Sequence, residues 1–265
     1  MSAAVMILPK YLDDEAIVLE NNSVGQGIYR MTLASPDVAK AACPGQFVNV
    51  GLDPRFHRLR RPFGVADIGD NSFTMYYRVI GEGTLALTEL SVGDTVSVLG
   101  PLGNGFDMKA ERPLLVGGGM GLAPLLLLAR QFHGAADILL GGRNKEELFW
   151  TEYFRPYINE MFVTTDDGSV GRKGFTTELL PELLEAHPYD CLYVCGPEIM
   201  MKKIAALAVQ EGVPCQVSLE KRMACGLGAC LSCACDTTGA KRVKVCKDGP
   251  VFWARDVFKE ACRGD

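Results

Sequence analysis

The chain has 265 residues, of which 48% are hydrophobic and 22% charged, with a formal net charge of −5. That length accommodates two or three compact domains of ordinary globular composition, and an acidic balance with no block of Lys or Arg excludes nucleic acid as a partner. No apolar run reaches the roughly 18 residues of a membrane span. Met1 to Pro9 lacks the basic start and long apolar stretch of a secretory signal, so the ten cysteines are expected as thiols or metal ligands in a reducing cytoplasm.

Residues 1–110 read as an all-β domain. Alternating or β-branched segments recur at 16–19, 28–33, 47–50, 73–79 and 95–99, separated by turn formers such as Asn21-Asn22-Ser23, Pro44-Gly45 and Gly69-Asp70-Asn71. Several short strands at this spacing predict a small antiparallel barrel. Within it, Arg60-Arg61-Pro62-Phe63-Gly64 opens a strand, Tyr76-Tyr77-Arg78 follows one hairpin later, and Gly83-Thr84 leads into a helix at 85–90. Each piece has a use in holding a flavin dinucleotide. An Arg pairs with a diphosphate, an aromatic ring packs on a flavin face, and a helix start offers N–H groups to phosphate. Taken singly, a surface Arg, a strand Tyr and a capping Thr are ordinary; their order within one barrel makes the joint case for FAD.

At Leu114 to Pro124 the pattern changes. An apolar strand enters Gly117-Gly118-Gly119-Met120-Gly121 and then a helix at 125–132. This is a strand–turn–helix unit for a dinucleotide diphosphate, although its glycines depart from the G-x-G-x-x-G fingerprint. Strands are predicted at 137–141, 161–165 and 190–195, with helices at 146–154 and 199–211. The alternation implies a parallel sheet over residues 111–217, with ligands at the carboxyl ends of its strands. Gly118, Gly119 and Gly121 are expected to let the diphosphate of NAD approach the backbone, with Cys195 near the nicotinamide and Gly196 binding the cofactor beside it.

Residues 218–265 carry Cys225, Cys230, Cys233 and Cys246, spaced C-x4-C-x2-C with twelve residues between the third and the last. That is the plant-type 2Fe-2S spacing. Gly226, Gly228 and Ala229 leave room for a tight loop whose N–H groups point at sulfur. Zinc, the competing ligand, favours two C-x2-C knuckles; a Rieske centre needs two His, and none of His57, His133 and His187 is near in sequence. A strand at 241–245 should deliver Cys246, and Gly249-Pro250-Val251-Phe252 should close the domain. Cys43, Cys191, Cys215, Cys235 and Cys262 read as ordinary thiols.

The order barrel, nucleotide domain, cluster domain resembles the ferredoxin–NADP reductase superfamily. Within it, the likeness is to the electron-transfer subunits of NAD-dependent, class 1B dihydroorotate dehydrogenases. It is carried by the stretch from Ser218 to Cys230, by Val245 to Phe252, by Arg61-Pro62-Phe63-Gly64, by the glycine turn from Gly117 to Pro124, and by Cys195-Gly196-Pro197. The family usually has Ser where this chain has Gly64. The resemblance implies electrons passing from the FMN of a dihydroorotate-oxidising partner subunit, in a two-plus-two heterotetramer, through the cluster and FAD to NAD+. It also implies that Arg61 and Thr84 hold the FAD diphosphate while Pro62 and Tyr77 line the flavin. The domains fill the chain, leaving no room for a roughly 250-residue catalytic barrel of its own. Competing readings are an electron-transfer subunit of a cytoplasmic hydrogenase or a ferredoxin-linked transhydrogenase, and a non-catalytic zinc-stabilised nucleotide sensor.

Overall fold

The structure, a computed structural model, describes residues 13–53, 55, 58–239 and 241–259. Met1 to Pro9, His57 and Cys262 lie outside the described residues. Seven strands make the first sheet: β1 (Asp13–Gly25), β2 (Ile28–Ala34), β3 (Phe47–Gly51), β4 (Arg61–Gly64), β5 (Asp67–Ile68), β6 (Ser72–Arg78) and β7 (Thr95–Leu102), in the antiparallel order β4-β3-β7-β1-β2-β6-β5. The two outermost strands of that order are halves of one segment. Its start pairs with β3 and its end with β6, and between them Val65 N–H donates to Gln46 O while Ala66 N–H donates to Thr74 O. One continuous segment therefore closes the sheet into a barrel, which leaves no free edge.

Period-two alternation fills this barrel. In β6, Phe73, Met75 and Tyr77 enter the interior with Val48, Val50, Val96 and Val98, whereas Tyr76 faces outward. Helix α1 (Pro36–Ala41), which the strand-rich sequence pattern hides, begins at a proline and adds Val38 to this core. Helix α2 runs Glu82–Thr88, starting a turn earlier than the apolar residues alone suggest.

The second sheet is built on β8 (Pro113–Gly118), β9 (Asp137–Gly142), β10 (Met161–Thr165), β11 (Arg172–Lys173), β12 (Cys191–Cys195) and β13 (Cys215–Ser218), all parallel in the order β11-β10-β9-β8-β12-β13. The chain first winds outward from β8 to β11, then returns to the other side through β12, so the order reverses between β8 and β12. That switch point is where an open α/β sheet leaves a crevice at its carboxyl ends. Helices α3 (Ala123–Gln131), α4 (Trp150–Phe154), α5 (Thr176–Ala186) and α6 (Glu198–Gln210) cover the faces.

Two helical expectations are corrected. The helix foreseen at 146–154 is a 3-10 turn, Lys145–Leu148, followed by the short α4. The Asn144 side chain caps that turn by accepting from Glu147 N–H at 3.2 Å, and Trp150 is drawn fully into the core against Tyr76, with ring centroids 4.8 Å apart. Helix α5 was not foreseen because Pro181 interrupts its pattern; it forms because Leu180 and Leu183 bury against the sheet. A buried large apolar side chain contributes about 1.5–3 kcal/mol, enough to hold a helix that propensity alone would not.

The cysteine segment contributes β14 (Ala234–Asp236), β15 (Arg242–Lys244), α7 (Val245–Asp248), β16 (Val251–Trp253) and α8 (Ala254–Val257). Cys246 sits in the helical turn α7 and not at the end of the preceding strand. Strand β16 does not close a separate unit. It pairs antiparallel with β13, Val217 opposite Phe252, and becomes the edge of the parallel sheet. The barrel holds the same region from its other side: Asn104 N–H donates to Gly249 O at 2.6 Å and its side-chain amide donates to Asp248 O at 2.9 Å. Barrel and parallel sheet also meet directly. Leu127 of α3 is buried in the barrel core, and Arg130 pairs with Asp67.

Candidate functional site

Three adjoining clefts lie along the joint between barrel, parallel sheet and cysteine segment. The first, of about 270 Å³, is walled by Pro62, Phe63 and Gly64 of β4, by Tyr76, Tyr77 and Arg78 of β6, by Thr84, and across the gap by Met120, Pro124, Cys195 and Glu220. Arg61 approaches from the side. Its guanidinium donates to Leu59 O and lies over the Cα of Gly83, where any Cβ would strike it. A side chain at 83 would therefore push the Arg61 guanidinium away from the N-terminal turn of α2. The Thr84 hydroxyl is used locally: it accepts from Ile80 N–H at 2.9 Å and donates to Gly81 O at 3.0 Å. Its part at a diphosphate would be played by first-turn N–H groups, which have no partner within the helix.

The two tyrosines are largely committed to packing. Tyr76 packs on Trp150, and Tyr77 stacks on Tyr29 at 5.5 Å while its hydroxyl donates to Asn21 Oδ1 at 2.9 Å. Burial raises both phenol pKa values, so neither ionises near neutrality. Alternation along β6 turns them to opposite faces, and both are among the residues that border the cleft. Gly64 lies beneath Pro124, whose ring an added Cβ would touch at 3.0 Å; the start of α3 is thereby seated on the strand that walls the cleft.

The second and third clefts open at the switch point. Gly118 and Gly119 are common to both. One is a crevice formed with Gly121, Gly196, Pro197, Leu219 and Glu220. The other, about 500 Å³, extends over the carboxyl ends of β9 and β10 to Arg143, Thr164, Phe175 and Lys203. At Gly121 a Cβ would lie 2.5 Å from Cys195 O and Gly196 N, so the two glycine-bearing loops touch backbone to backbone, leaving a cradle that only a side-chain-free residue permits. Cys195 is fully buried, with its thiol directed at Ser218 O at 3.8 Å, and burial raises its pKa well above the usual thiol range. It stands neutral in the wall. Arg143 is engaged by Glu147, which accepts from Nε at 2.7 Å and from the backbone N–H at 3.0 Å; that pairing holds the Glu147 carboxyl below its usual range.

Sequence reasoning missed Phe175, Lys203, Met120 and Glu220. Glu220 lines two of the clefts, and desolvation by their walls raises its pKa. Nothing in the sequence marked Phe175, whose 56% exposure shows only in the fold; Glu220 carried no signal beyond its place before the cysteine loop.

Beyond the flavin-sized cleft, the chain from Cys225 to Cys233 coils through left-handed glycines, Gly226 at φ 69° and Gly228 at φ 82°. The coil aims N–H groups at sulfur. Leu227 and Cys230 donate to Cys225 Sγ at 3.3 and 3.4 Å, Gly228 donates to Cys246 Sγ at 3.1 Å, and Cys246 donates to Cys233 Sγ at 3.4 Å. Cys230 N–H thus reaches Cys225 Sγ and Cys246 N–H reaches Cys233 Sγ, and among the described residues no three such side chains gather tightly enough to hold a single metal ion, so the thiols stand two by two. Two pairs suit two irons better than one tetrahedral ion. The pairs differ in setting. Hydrogen bonding with Ser232 lowers Cys230 to about 6, favouring the ligating thiolate, whereas burial pushes Cys246 up to about 12. Cys230 is exposed, between exposed Leu227 and Leu231; Cys233 and Cys246 are buried. Cys235 lies in β14, packed against the core that holds Cys233 and Cys246.

Arg61 provides a direct test of the first cleft. Arg61→Ala is expected to weaken FAD retention roughly 10- to 100-fold, the range for losing a hydrogen-bonded charge worth about 1.5–3 kcal/mol. Flavin content after gel filtration reads this, and an unchanged content would remove Arg61 from the site.

A family model for the iron-sulfur cluster binding domain of dihydroorotate dehydrogenase B matches residues 220–258. The chain is 40% identical over 248 residues to the dihydroorotate dehydrogenase B (NAD(+)) electron transfer subunit of Caldanaerobacter subterraneus subsp. tengcongensis, covering 92% of this chain and 98% of that one. It is 39% identical, with the same coverage, to the corresponding subunit of Fusobacterium nucleatum subsp. nucleatum. Among solved structures it is similar to a chain of the NADH-dependent reduced ferredoxin-NADP oxidoreductase, a protein studied for flavin-based electron bifurcation. That match has a TM-score of 0.82 and 34% identity, covering 91% of this chain and 89% of the other.

Proposed function

Because this chain belongs to the family of dihydroorotate dehydrogenase B (NAD(+)) electron transfer subunits, we propose that it relays electrons between a dihydroorotate-oxidising catalytic subunit and NAD+ in pyrimidine biosynthesis. It is an oxidoreductase subunit, complete only with that partner. The observation that carries the reading is the contiguity of the sites: three loop thiols with Cys246 of α7, a flavin-sized cleft and a glycine-lined dinucleotide cleft follow one another along a single joint. When bound, FAD supplies the exchange of hydride for single electrons, and a 2Fe-2S cluster takes those electrons one at a time.

The chain's own residues hold and orient these groups. Cys225, Cys230, Cys233 and Cys246 ligate the cluster, and the loop N–H groups on their sulfurs favour its more negative state. Arg61 and the first turn of α2 at Gly83 and Thr84 hold the FAD diphosphate. Pro62, Phe63, Gly64, Tyr76, Tyr77 and Arg78 wall the flavin, with Gly64 offering backbone where relatives usually present Ser. Gly118, Gly119, Gly121 and Gly196 let the NAD diphosphate approach the main chain, and Cys195 closes the wall as a neutral thiol. No side chain needs to act as general acid or base, since positioning is the protein's share of hydride transfer. The functional division is 1–110 for FAD, 111–217 for NAD and 218–265 for the cluster.

The partner is proposed to be an FMN-containing catalytic subunit in a two-plus-two assembly in the cytoplasm. Among the described residues no helix is long and apolar enough to cross a membrane. The partner's docking face is the apolar rim around Cys230. Leu227 and Leu231 are 54% and 62% exposed there, and Leu231 holds a left-handed φ of 63°, uncommon for its type. Leu227→Asp should weaken partner binding by about tenfold or more, because an unpaired carboxylate would be buried in the interface, while iron and flavin contents stay normal. Affinity by calorimetry decides; unaltered affinity would move the interface elsewhere.

Mixing the purified protein with the catalytic subunit tests the reading as a whole: dihydroorotate-dependent NADH formation should require both. The likeness to the NADH-dependent reduced ferredoxin-NADP oxidoreductase chain supports a second reading, service in a ferredoxin-linked complex. Activity with reduced ferredoxin and none with the dihydroorotate-oxidising subunit would select it.

A further inference from the structure

Asn49 is fully buried, yet neither Oδ1 nor Nδ2 of its side chain has a hydrogen-bond partner. A buried carboxamide in that condition is destabilising, and its retention calls for a group that satisfies it. Its position identifies the group. Asn49 lies in β3, whose Val48 and Val50 enter the barrel core while Phe47 packs on the opposite side with Leu102, Cys233 and Cys246. The side chain of Asn49 shares that outer side. A Cβ built on Gly226 would collide with its Nδ2 and come within 3.3 Å of Leu102. The amide therefore lies directly over the residue that follows ligand Cys225. Its main chain belongs to the flavin site: Asn49 is paired opposite Pro62 of β4, and its carbonyl accepts from Arg60 Nη1 at 3.2 Å.

We propose that Asn49 is a positioning residue for the iron–sulfur cluster, its carboxamide N–H donating to sulfur on the Cys225 side of the bound cluster. This rests on the cluster reading above. The bond would fix the cluster against the strand that walls the flavin. A donor to sulfur offsets the extra negative charge of the reduced cluster, so removing it lowers the cluster's midpoint potential.

Asn49→Leu keeps the shape and deletes the donor. In the intact protein carrying iron and FAD, a redox titration followed by electron paramagnetic resonance is expected to give a more negative midpoint than the unmutated protein. Asn49→Ala, which likewise lacks a donor, should move it the same way. Wild-type midpoints in both variants would overturn the proposal. Should either variant fail to accumulate, the unmutated protein bearing a 15N label on asparagine Nδ2 decides the matter. Pulsed resonance of its reduced cluster is expected to show coupling to that label, and absence of coupling overturns the assignment. Absence of iron and acid-labile sulfide from the unmutated protein is a separate outcome; it would remove the cluster reading itself and Asn49's role with it.

Discussion

Replacing Cys230 by alanine is expected to reduce electron transfer to and from the partner subunit to background while NADH oxidation by an artificial acceptor at the flavin survives. The separation follows from the order of the clefts. The thiol loop lies on one side of the flavin-sized cleft and the dinucleotide clefts on the other, so with the partner docked as proposed, losing the thiol end leaves the rest of the path intact. Cys230 is the informative choice of the four. It is exposed at the surface, its pKa is lowered to about 6 by Ser232, and no apolar packing depends on it, unlike the buried Cys233 and Cys246. Visible spectra and iron content accompany the two rates. Equal loss of both activities would contradict the order of carriers.

The second large effect is expected at Gly121. A methyl there meets backbone atoms of Cys195 and Gly196 at 2.5 Å, and backbone cannot swing aside as a side-chain tip can. Gly121→Ala should cost about 1–3 kcal/mol of stability as an overpacked site. By prising the two loops apart it should also weaken NADH binding by about tenfold or more. Gly119 supplies the contrast. It has a positive φ of 58° but nothing within 4 Å of a would-be Cβ, so Gly119→Ala bears only the left-handed strain, roughly 1–2 kcal/mol, without wedging the loops. Thermal melts and NADH titrations of the pair distinguish the cases. If Gly121→Ala binds NADH as tightly as the unmutated protein, the crevice is not where the dinucleotide crosses.

What the sequence discloses about this protein is what its chemistry keeps local. Four cysteines at ligand spacing, a glycine turn between strand and helix, and an Arg-Pro-aromatic strand are each legible because the residues of each lie close together along the chain, the cysteines all falling between 225 and 246. The barrel and the parallel sheet were legible for a similar reason, since strand period and turn residues recur along the chain. The rest depends on which face of an element meets which partner. Phe47-Val-Asn-Val50 is buried on both sides, so nothing in its pattern says that Asn49 looks toward Gly226, some 180 positions on. Tyr76 and Tyr77 look equivalent as letters and diverge only once β6 turns them to opposite faces. Pro181 masked α5, whose stability comes from tertiary burial and not from propensity. Glu220 lines two clefts only because β13 ends beside them.

The return of the chain as β16 along β13 has a consequence for how this relay can be built or dismantled. The cluster loop is no detachable cartridge: it is a detour between two adjacent strands of the dinucleotide sheet, clasped on its flank by Asn104. Cutting the protein short before Val251 would bare the flank of β13 to water and to other chains, harming the NAD side along with the iron side. With β13 and β16 paired at its base and Asn104 on its flank, the cluster loop is tied at both ends to the sheet that carries the dinucleotide cleft, so its place beside that cleft is a property of the fold and not of a linker.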